Sequence, residues 1–228
     1  MRTRWPVSTV AWIWQNLYNY AVLIAVKPPF FYMKALLFFV CVMPLFWIIW
    51  RGLQSDLGAN PVETVTRYTG DWVLRFLLIT LSVTPTRKIF GWNFLLRYRR
   101  MLGLFAFFYA CIHFGIYVVD QYFSVETVLE DILDRPYITL GFTCFVLLIP
   151  LALTSTNDMV KRLGAKRWQK LHRLVYVIAI GGVLHYWWLV KSDIFQPLVY
   201  ALLLLILLSC RLWFHQRNSL AIKTMRPG

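Results

Sequence analysis

The stretch Arg97-Tyr98-Arg99-Arg100-Met101-Leu102-Gly103-Leu104-Phe105-Ala106-Phe107-Phe108-Tyr109-Ala110-Cys111-Ile112-His113 decides the fold. A basic cluster with no acid opens onto an apolar and aromatic run that continues to Val119. Such a run has the length needed to cross a bilayer, which takes roughly 17–25 residues. Basic residues favour the cytoplasmic side, so this span starts inside. His113 then lies about twelve residues in, toward the outer leaflet at 1.5 Å of rise per residue. Imidazole at that depth is expensive to keep and reads as functional, with a partner to be named.

The rest of the chain has the same character. Hydrophobic residues make up 59% of its 228 positions and charged ones 15%, with a net charge of +14. A soluble domain carries about a quarter charged residues. The bases cluster between apolar windows, so they report membrane topology and not a nucleic-acid partner. No small-residue cleavage site follows the first apolar stretch, and no cleavable signal peptide is expected. Cys41, Cys111, Cys144 and Cys210 stand singly in apolar segments. Without a C-x-x-C pair they read as small buried hydrophobes, not as ligands of zinc, iron–sulfur or covalent haem.

Six spans are expected near Met33–Trp50, Trp72–Thr84, Met101–Val119, Tyr137–Leu153, Leu171–Val190 and Pro197–Trp213. The second is short unless extended back through Thr66–Thr69. Arg87, Lys88, Arg97, Arg99 and Arg100 precede span three, and Lys161, Arg162, Lys166, Arg167, Lys170 and Arg173 precede span five. These loops and the tail with Arg211, Arg217, Lys223 and Arg226 belong in the cytoplasm. The loop bearing Asp120, Glu126, Glu130, Asp131 and Asp134 belongs outside, and the fifth loop holds only Lys191 and Asp193. Val7–Val26 is uncharged, but Lys27 and Lys34 follow it. A cytoplasmic interfacial helix satisfies both ends, and a seventh span is the rival. Residues 1–32 thus form a hydrophobic extension, 33–215 the membrane domain and 216–228 a basic cytoplasmic tail. Between spans four and five, Thr154-Ser155-Thr156-Asn157-Asp158 supplies helix-stop and N-cap chemistry. Met159–Leu163 follows as a short turn closed by Gly164 in a left-handed C′ position, and Trp168 reads as an interface anchor.

His185 lies about fourteen residues into span five, which also starts inside, so it is level with His113. Two level histidines on different helices can clamp one haem b through its axial positions. The alternative is polar interior residues hydrogen-bonded to neighbouring helices. His172 stands thirteen residues earlier, near the cytoplasmic edge. Its level partners on span three are Arg99 and Arg100, so a second bis-histidine site lacks half its ligands. A cytoplasmic-side haem with a weaker partner, a flavin or quinone site, and an interfacial histidine in a basic loop all remain open. At about 100° per residue, thirteen residues turn His172 roughly 140° from His185. Gly181-Gly182 is a place where a local irregularity could realign them. Arg75 could pair with a haem propionate, although snorkelling to the outer headgroups is favoured. Trp187 and Trp188 fit an aromatic belt. No G-x-G-x-x-G or P-loop occurs and too little chain follows span six for a nucleotide domain, so a separate electron donor is required.

Further runs carry a resemblance. Leu57-Gly58-Ala59-Asn60-Pro61-Val62-Glu63 leads into Tyr68-Thr69-Gly70, and Ser82-Val83-Thr84-Pro85 closes span two. Arg97–Leu104 and His113 follow, then Arg135-Pro136-Tyr137-Ile138-Thr139-Leu140-Gly141, Leu153–Thr156, Leu163-Gly164, Trp168, Leu171-His172 and His185-Tyr186. In this order, over about residues 35–215, they resemble the MsrQ (YedZ) family. Its members are haem-binding membrane subunits and compact relatives of ferric reductase and NADPH oxidase transmembrane domains. The resemblance implies an all-α integral membrane protein, a six-helix haem-binding bundle. It implies haem b, one or two per chain, and FMN, with His113, His172 and His185 as haem ligands. Arg99–Arg100 stand where the oxidases keep a fourth histidine. A bacterial inner-membrane location with a cytoplasmic C-terminus follows, with electrons coming from the quinone pool or a cytoplasmic flavin reductase. The implied acceptor is a periplasmic molybdopterin methionine sulfoxide reductase (MsrP-like) that repairs oxidised proteins. Sulfoxide chemistry would sit on that partner, leaving no catalytic residue here. A stand-alone ferric or quinone reductase is the alternative, and a non-redox scaffold a second.

Overall fold

The computed structural model describes residues 29–190 and 194–224, and the regular elements among them are all helical. Val7–Val26, the Lys191–Asp193 loop and Arg226 lie outside the described residues. The long helices are α1 (Pro29–Leu53), α2 (Pro61–Phe90), α3 (Leu96–Asp120), α5 (Pro136–Leu153), α8 (Leu174–Leu189) and α9 (Phe195–Thr224). Short helices α4 (Val125–Asp134), α6 (Asn157–Leu163) and α7 (Ala165–His172) lie between them. Two compact units divide the chain, Met1–Met43 and Pro44–Gly228. The described part of the first is the opening of α1, which leaves Leu36, Phe39 and Met43 exposed.

Local chemistry sets the helix ends. Asn60 caps α2 by accepting from the Glu63 N–H at 3.2 Å, and Pro61 occupies the first turn, where its missing N–H is harmless. Gly91 ends α2 with φ 73° and ψ 9°, the left-handed geometry that glycine adopts without strain. The second expected span is therefore the middle of a 30-residue helix. Thr156 caps α6 by accepting from the Met159 N–H. Gly164 has φ 75° but ψ 148°, so it is not the left-handed helical cap expected. It turns the chain directly into α7, of which it is the N-cap.

In the second unit, α2 pairs along its length with α3, and α5 with α8. The two pairs close into a bundle through α3 against α5 and α2 against α8, and α9 packs on α2 and α8. Small residues bring these backbones close. A β-carbon at Gly181 would stand 2.5 Å from Cys144 Sγ, and one at Gly182 3.0 Å from Leu74 Cδ2. Gly181-Gly182 is thus a contact point in a continuous helix and not the irregularity anticipated. The irregularity falls at Arg173, between α7 and α8. His172 closes α7 and His185 lies on α8; Arg173 between them keeps right-handed helical dihedrals, φ −70° and ψ −19°, with i→i−3 bonds on either side, so the junction is a tightened turn.

Among the described residues, four helices are long and apolar enough to cross a membrane: Phe30–Leu53, Asn93–Asp120, Pro136–Leu153 and Phe195–Phe214. The other two expected spans fall on α2 and α8. The first is made less apolar by Asp71 and Arg75, and the second has only 16 residues. Both carry buried faces inside the bundle, including Phe76, Leu77 and Leu81 on α2 and Ile178 and Ala179 on α8. Large apolar side chains on α9, such as Leu205 and Leu212, face outward, as lipid contact requires.

Pro85 interrupts α2 from within, because without an N–H it cannot bond the carbonyl of Leu81. Arg211 of α9 repairs this: its Nη2 donates to that carbonyl at 2.7 Å, and its Nη1 donates to the Tyr176 hydroxyl. The guanidinium also lies 5.0 Å from the centre of the Tyr176 ring. Arg211→Leu should cost about 1–3 kcal/mol by orphaning these partners. In a Pro85→Ala background, where the Leu81 carbonyl regains a helical donor, the loss should shrink. Thermal unfolding of the four proteins in one detergent checks this; equal losses in both backgrounds would contradict it.

Candidate haem-binding site

His113 on α3 and His185 on α8 face each other with ring centroids 6.4 Å apart and planes at 83°. Each ring is tied to the other helix of its own pair. His113 Nδ1 lies 2.9 Å from the Thr66 carbonyl on α2, and His185 Nδ1 lies 2.7 Å from the Tyr137 carbonyl on α5. A carbonyl can only accept, so both Nδ1 atoms carry the proton and both Nε2 atoms keep a lone pair. Among the described residues neither Nε2 has a hydrogen-bond partner.

This arrangement fits an axial pair. An imidazole nitrogen sits roughly 2.0–2.1 Å from a transition metal, which places two opposed ring centres about 6 Å apart. Among the described residues no three His, Cys, Asp or Glu side chains gather as a metal site. The pair supplies two ligands, and a porphyrin would supply the remaining four. The Nδ1–carbonyl bonds are the outer-shell contacts that hold a ligating imidazole in orientation and tautomer.

The neighbouring charges have protein partners. Arg75 donates from Nε to the Tyr200 hydroxyl at 3.0 Å, stands 3.6 Å from Asp71 and lies 4.8 Å from the Trp72 ring centre. One turn beyond His113, the Tyr117 hydroxyl donates to Asp131 at 3.0 Å, and Asp131 pairs with Arg135 at 3.1 Å. These contacts anchor α4 beside Pro136, where the helix that holds His185 in place begins.

His172 belongs elsewhere. It lines a cavity of about 240 Å³ together with Arg99, Arg100, Ser155 and Trp168, over apolar walls from Leu77, Phe107, Leu148, Leu151 and Val175. Arg99 and Arg100 therefore join His172 in one lining. Arg100 Nη1 also donates to Asn157 Oδ1 at 2.6 Å. The Thr154 hydroxyl donates to the Pro150 carbonyl at 2.6 Å and so can only accept from His172 Nε2, 3.1 Å away. His172 thus holds its proton on Nε2 and presents Nδ1, the reverse of the other two rings. Trp168 stacks on it with centroids 3.9 Å apart and donates from Nε1 to the Thr154 carbonyl at 2.8 Å.

Four contributors escape sequence reasoning. The Thr66 and Tyr137 carbonyls are backbone and have no signature. Thr154 reads in the sequence as a helix stop and Trp168 as an interface anchor, and both stand in the runs that carry the resemblance, but neither reading gives the contact with His172. The spacing of four between Trp168 and His172 is the one signal that pointed to their stacking.

Residues 69–183 match the family described as Ferric reductase like transmembrane component. The chain belongs to this class of helical membrane proteins. It is 54% identical over 190 residues to the protein-methionine-sulfoxide reductase heme-binding subunit MsrQ of Herminiimonas arsenicoxydans, covering 82% of this chain and 87% of that one. Identity to the MsrQ of Rhodospirillum rubrum is 52% over 176 residues, with 77% and 85% covered. For that of Caulobacter vibrioides it is 45% over 185 residues, with 81% and 88% covered. Within the class, the chain is a member of the MsrQ family of heme-binding subunits and a multi-pass membrane protein.

Trp168→Phe should keep a ring over His172 but lose the bond to Thr154, costing about 0.5–1.5 kcal/mol. Trp168→Ala should cost more. Unfolding followed by circular dichroism in detergent ranks the two; equal losses would show that the stack contributes nothing.

Proposed function

We propose that this chain is the membrane electron-transfer subunit of a methionine sulfoxide repair system. Haem b is held between His113 and His185, and α2 and α8 join the four long apolar helices as six spans. The observation that carries this reading is the facing of two half-buried imidazoles whose Nδ1 protons are already committed to carbonyls. The excess of bases at the end of α2 and the start of α3 (Arg87, Lys88, Arg97, Arg99, Arg100), in α6 and α7, and in the last turns of α9 (Arg211, Arg217, Lys223) supports cytoplasmic placement of those helix ends, as in a bacterial inner membrane. The histidine pair then lies toward the periplasm, and the cavity with His172 toward the cytoplasm.

When bound, haem supplies a one-electron carrier; the protein supplies its position and environment. Thr66 and Tyr137 keep the ligand protons on Nδ1. The bundle excludes water and helps set the potential through burial and axial ligation. The cavity is where electrons arrive, from a quinone or from a flavin such as FMN delivered by a cytoplasmic reductase. Its apolar walls suit a planar ring, and Arg99 and Arg100 suit an anionic group. Phe107 lines that cavity and stacks on Phe145 at 6.1 Å, and Phe145 stacks on Phe114 at 4.9 Å, beside His113. The interval toward the periplasmic pair is thus filled by packed aromatic rings.

The acceptor is a periplasmic molybdopterin methionine sulfoxide reductase, an MsrP-like partner. Its relation to this chain is supported by the names of relatives about half identical to it. The family match to ferric reductase-like components keeps one rival in view, reduction of ferric iron by the chain itself.

The test is a reduced-minus-oxidised visible spectrum of the purified protein with haem counted per chain. His113→Ala and His185→Ala should each remove one low-spin haem, whereas His172→Ala should leave that haem in place. Full retention in either of the first two variants would sink the assignment. Mixed with a catalytic amount of the molybdoenzyme, the reduced protein should reoxidise completely only when methionine sulfoxide is present to take the electrons. Reoxidation by chelated ferric iron, but not by the molybdoenzyme, would favour the ferric reductase reading.

A further inference from the structure

The two candidate ligands sit in the same piece of backbone, built twice. His113 Nδ1 bonds the carbonyl of Thr66, and four residues along that helix stands Gly70. His185 Nδ1 bonds the carbonyl of Tyr137, and four residues along that helix stands Gly141. The repeat has a steric cause. In an α-helix each Cα–Cβ bond tilts toward the N-terminus, so a side chain covers the turn before it. A side chain at position 70 would lie over the Thr66 carbonyl, and one at 141 over that of Tyr137. A ring from another helix would then have to give way to reach either oxygen.

The distances bear this out. A β-carbon at position 70 would stand 3.0 Å from Cε1 and 3.2 Å from Nδ1 of His113. One at position 141 would stand 2.8 Å from both Cε1 and Nδ1 of His185, and 3.2 Å from Nε2. Carbon contacts are optimal at about 3.5–4.0 Å, so a methyl group must displace either ring. Among the described glycines, crowding against a histidine ring occurs at these two sites alone; Gly181 and Gly182 are as tight, but against Cys144 and Leu74. Gly115, two residues after His113, has nothing within 4 Å of its β-carbon position, and Gly103 would meet only Thr80 Cγ2 at 3.8 Å.

We propose that Thr66-x-x-x-Gly70 and Tyr137-x-x-x-Gly141 are paired saddles that set the planes of the two haem-ligand rings close to perpendicular. Each carbonyl fixes where its ring sits, and each bare glycine surface fixes how the ring is turned about the N–H···O axis. Gly70 and Gly141 are positioning residues, and the inference rests on the haem reading given above. Plane orientation matters because an imidazole donates π density along its ring normal into one iron d orbital. Rings at 83° feed two such orbitals almost equally and leave them nearly degenerate. Low-spin ferric iron in that state gives a highly anisotropic electron paramagnetic resonance signal with one dominant low-field feature. Rings turned toward parallel give a resolved three-line rhombic signal and a lower midpoint potential.

The experiment uses the full chain, purified with haem, in a His172→Ala background so that a cytoplasmic-side haem does not contribute. Frozen-solution resonance spectra, haem content and midpoint potential are compared for Gly70→Ala, Gly141→Ala, Gly103→Ala and Gly115→Ala. The unsubstituted background should show the anisotropic signal. Gly141→Ala should convert it to a rhombic or partly high-spin one, Gly70→Ala should do so less completely, and the other two should leave it unchanged. If Gly141→Ala does not accumulate, Gly70→Ala decides. A rhombic signal before substitution, or signal and potential unmoved in the alanine variants at 70 and 141, overturns the saddles while leaving the haem in place. A low-spin haem that survives both His113→Ala and His185→Ala overturns the haem reading itself, and the saddles with it.

Discussion

Hydrocarbon offers no hydrogen-bond partner, so every polar group at bilayer depth must be answered by the protein itself. The N–H of His113 and that of His185 are each answered by a helix carbonyl on a facing helix. Those carbonyls already belong to helical ladders, and each uses its second lone pair for the imidazole. The bonds leave one nitrogen of each ring free, on two rings whose centres lie 6.4 Å apart. The helix pairing follows the same demand, since α2 must lie on α3 and α5 on α8 for the carbonyls to be in reach.

Proline and arginine repeat the theme at the other end of the bundle. Pro85 frees a carbonyl that water cannot reach, and Arg211 from α9 supplies the donor. An arginine in an apolar helix is expensive when isolated, but here its fork satisfies a backbone oxygen and a tyrosine hydroxyl together. One defect in α2 thus stitches a third helix onto the central pair. Tyr109 acts similarly, accepting at its buried hydroxyl from the Leu45 N–H, one residue beyond Pro44.

The histidine environments differ in a way that matches different tasks. His113 and His185 present Nε2 from opposed rings and are held by backbone, which allows little rotation. His172 presents Nδ1, is held by the Thr154 hydroxyl and lies flat against Trp168 beside two arginines. The first arrangement suits a fixed axial pair, and the second suits a planar anionic group lying in a cavity.

Much of this was legible in the residues. Apolar windows and loop charge carry the membrane class and the order of the helices, because lipid contact and topology act on composition directly. Counting rise from the basic edge put His113 level with His185, and Arg99–Arg100 level with His172, because depth along a helix is a one-dimensional quantity. Rotation and adjacency are not. The 140° turn counted between His172 and His185 needs no realignment, because the structure gives the two rings to different sites, and the tightened turn at Arg173 has no breaker chemistry to announce it. The Thr66 and Tyr137 carbonyls have no side-chain identity, so no pattern announces them. Gly70 and Gly141 look like other glycines until a ring from another helix is laid against them. By itself the sequence determined that the chain is a multi-pass helical membrane protein, that His113 and His185 lie level with one another, and which family the chain resembles. Only the tertiary structure decided which nitrogen each ring presents and at what angle, because those depend on atoms that meet across helices more than forty residues apart.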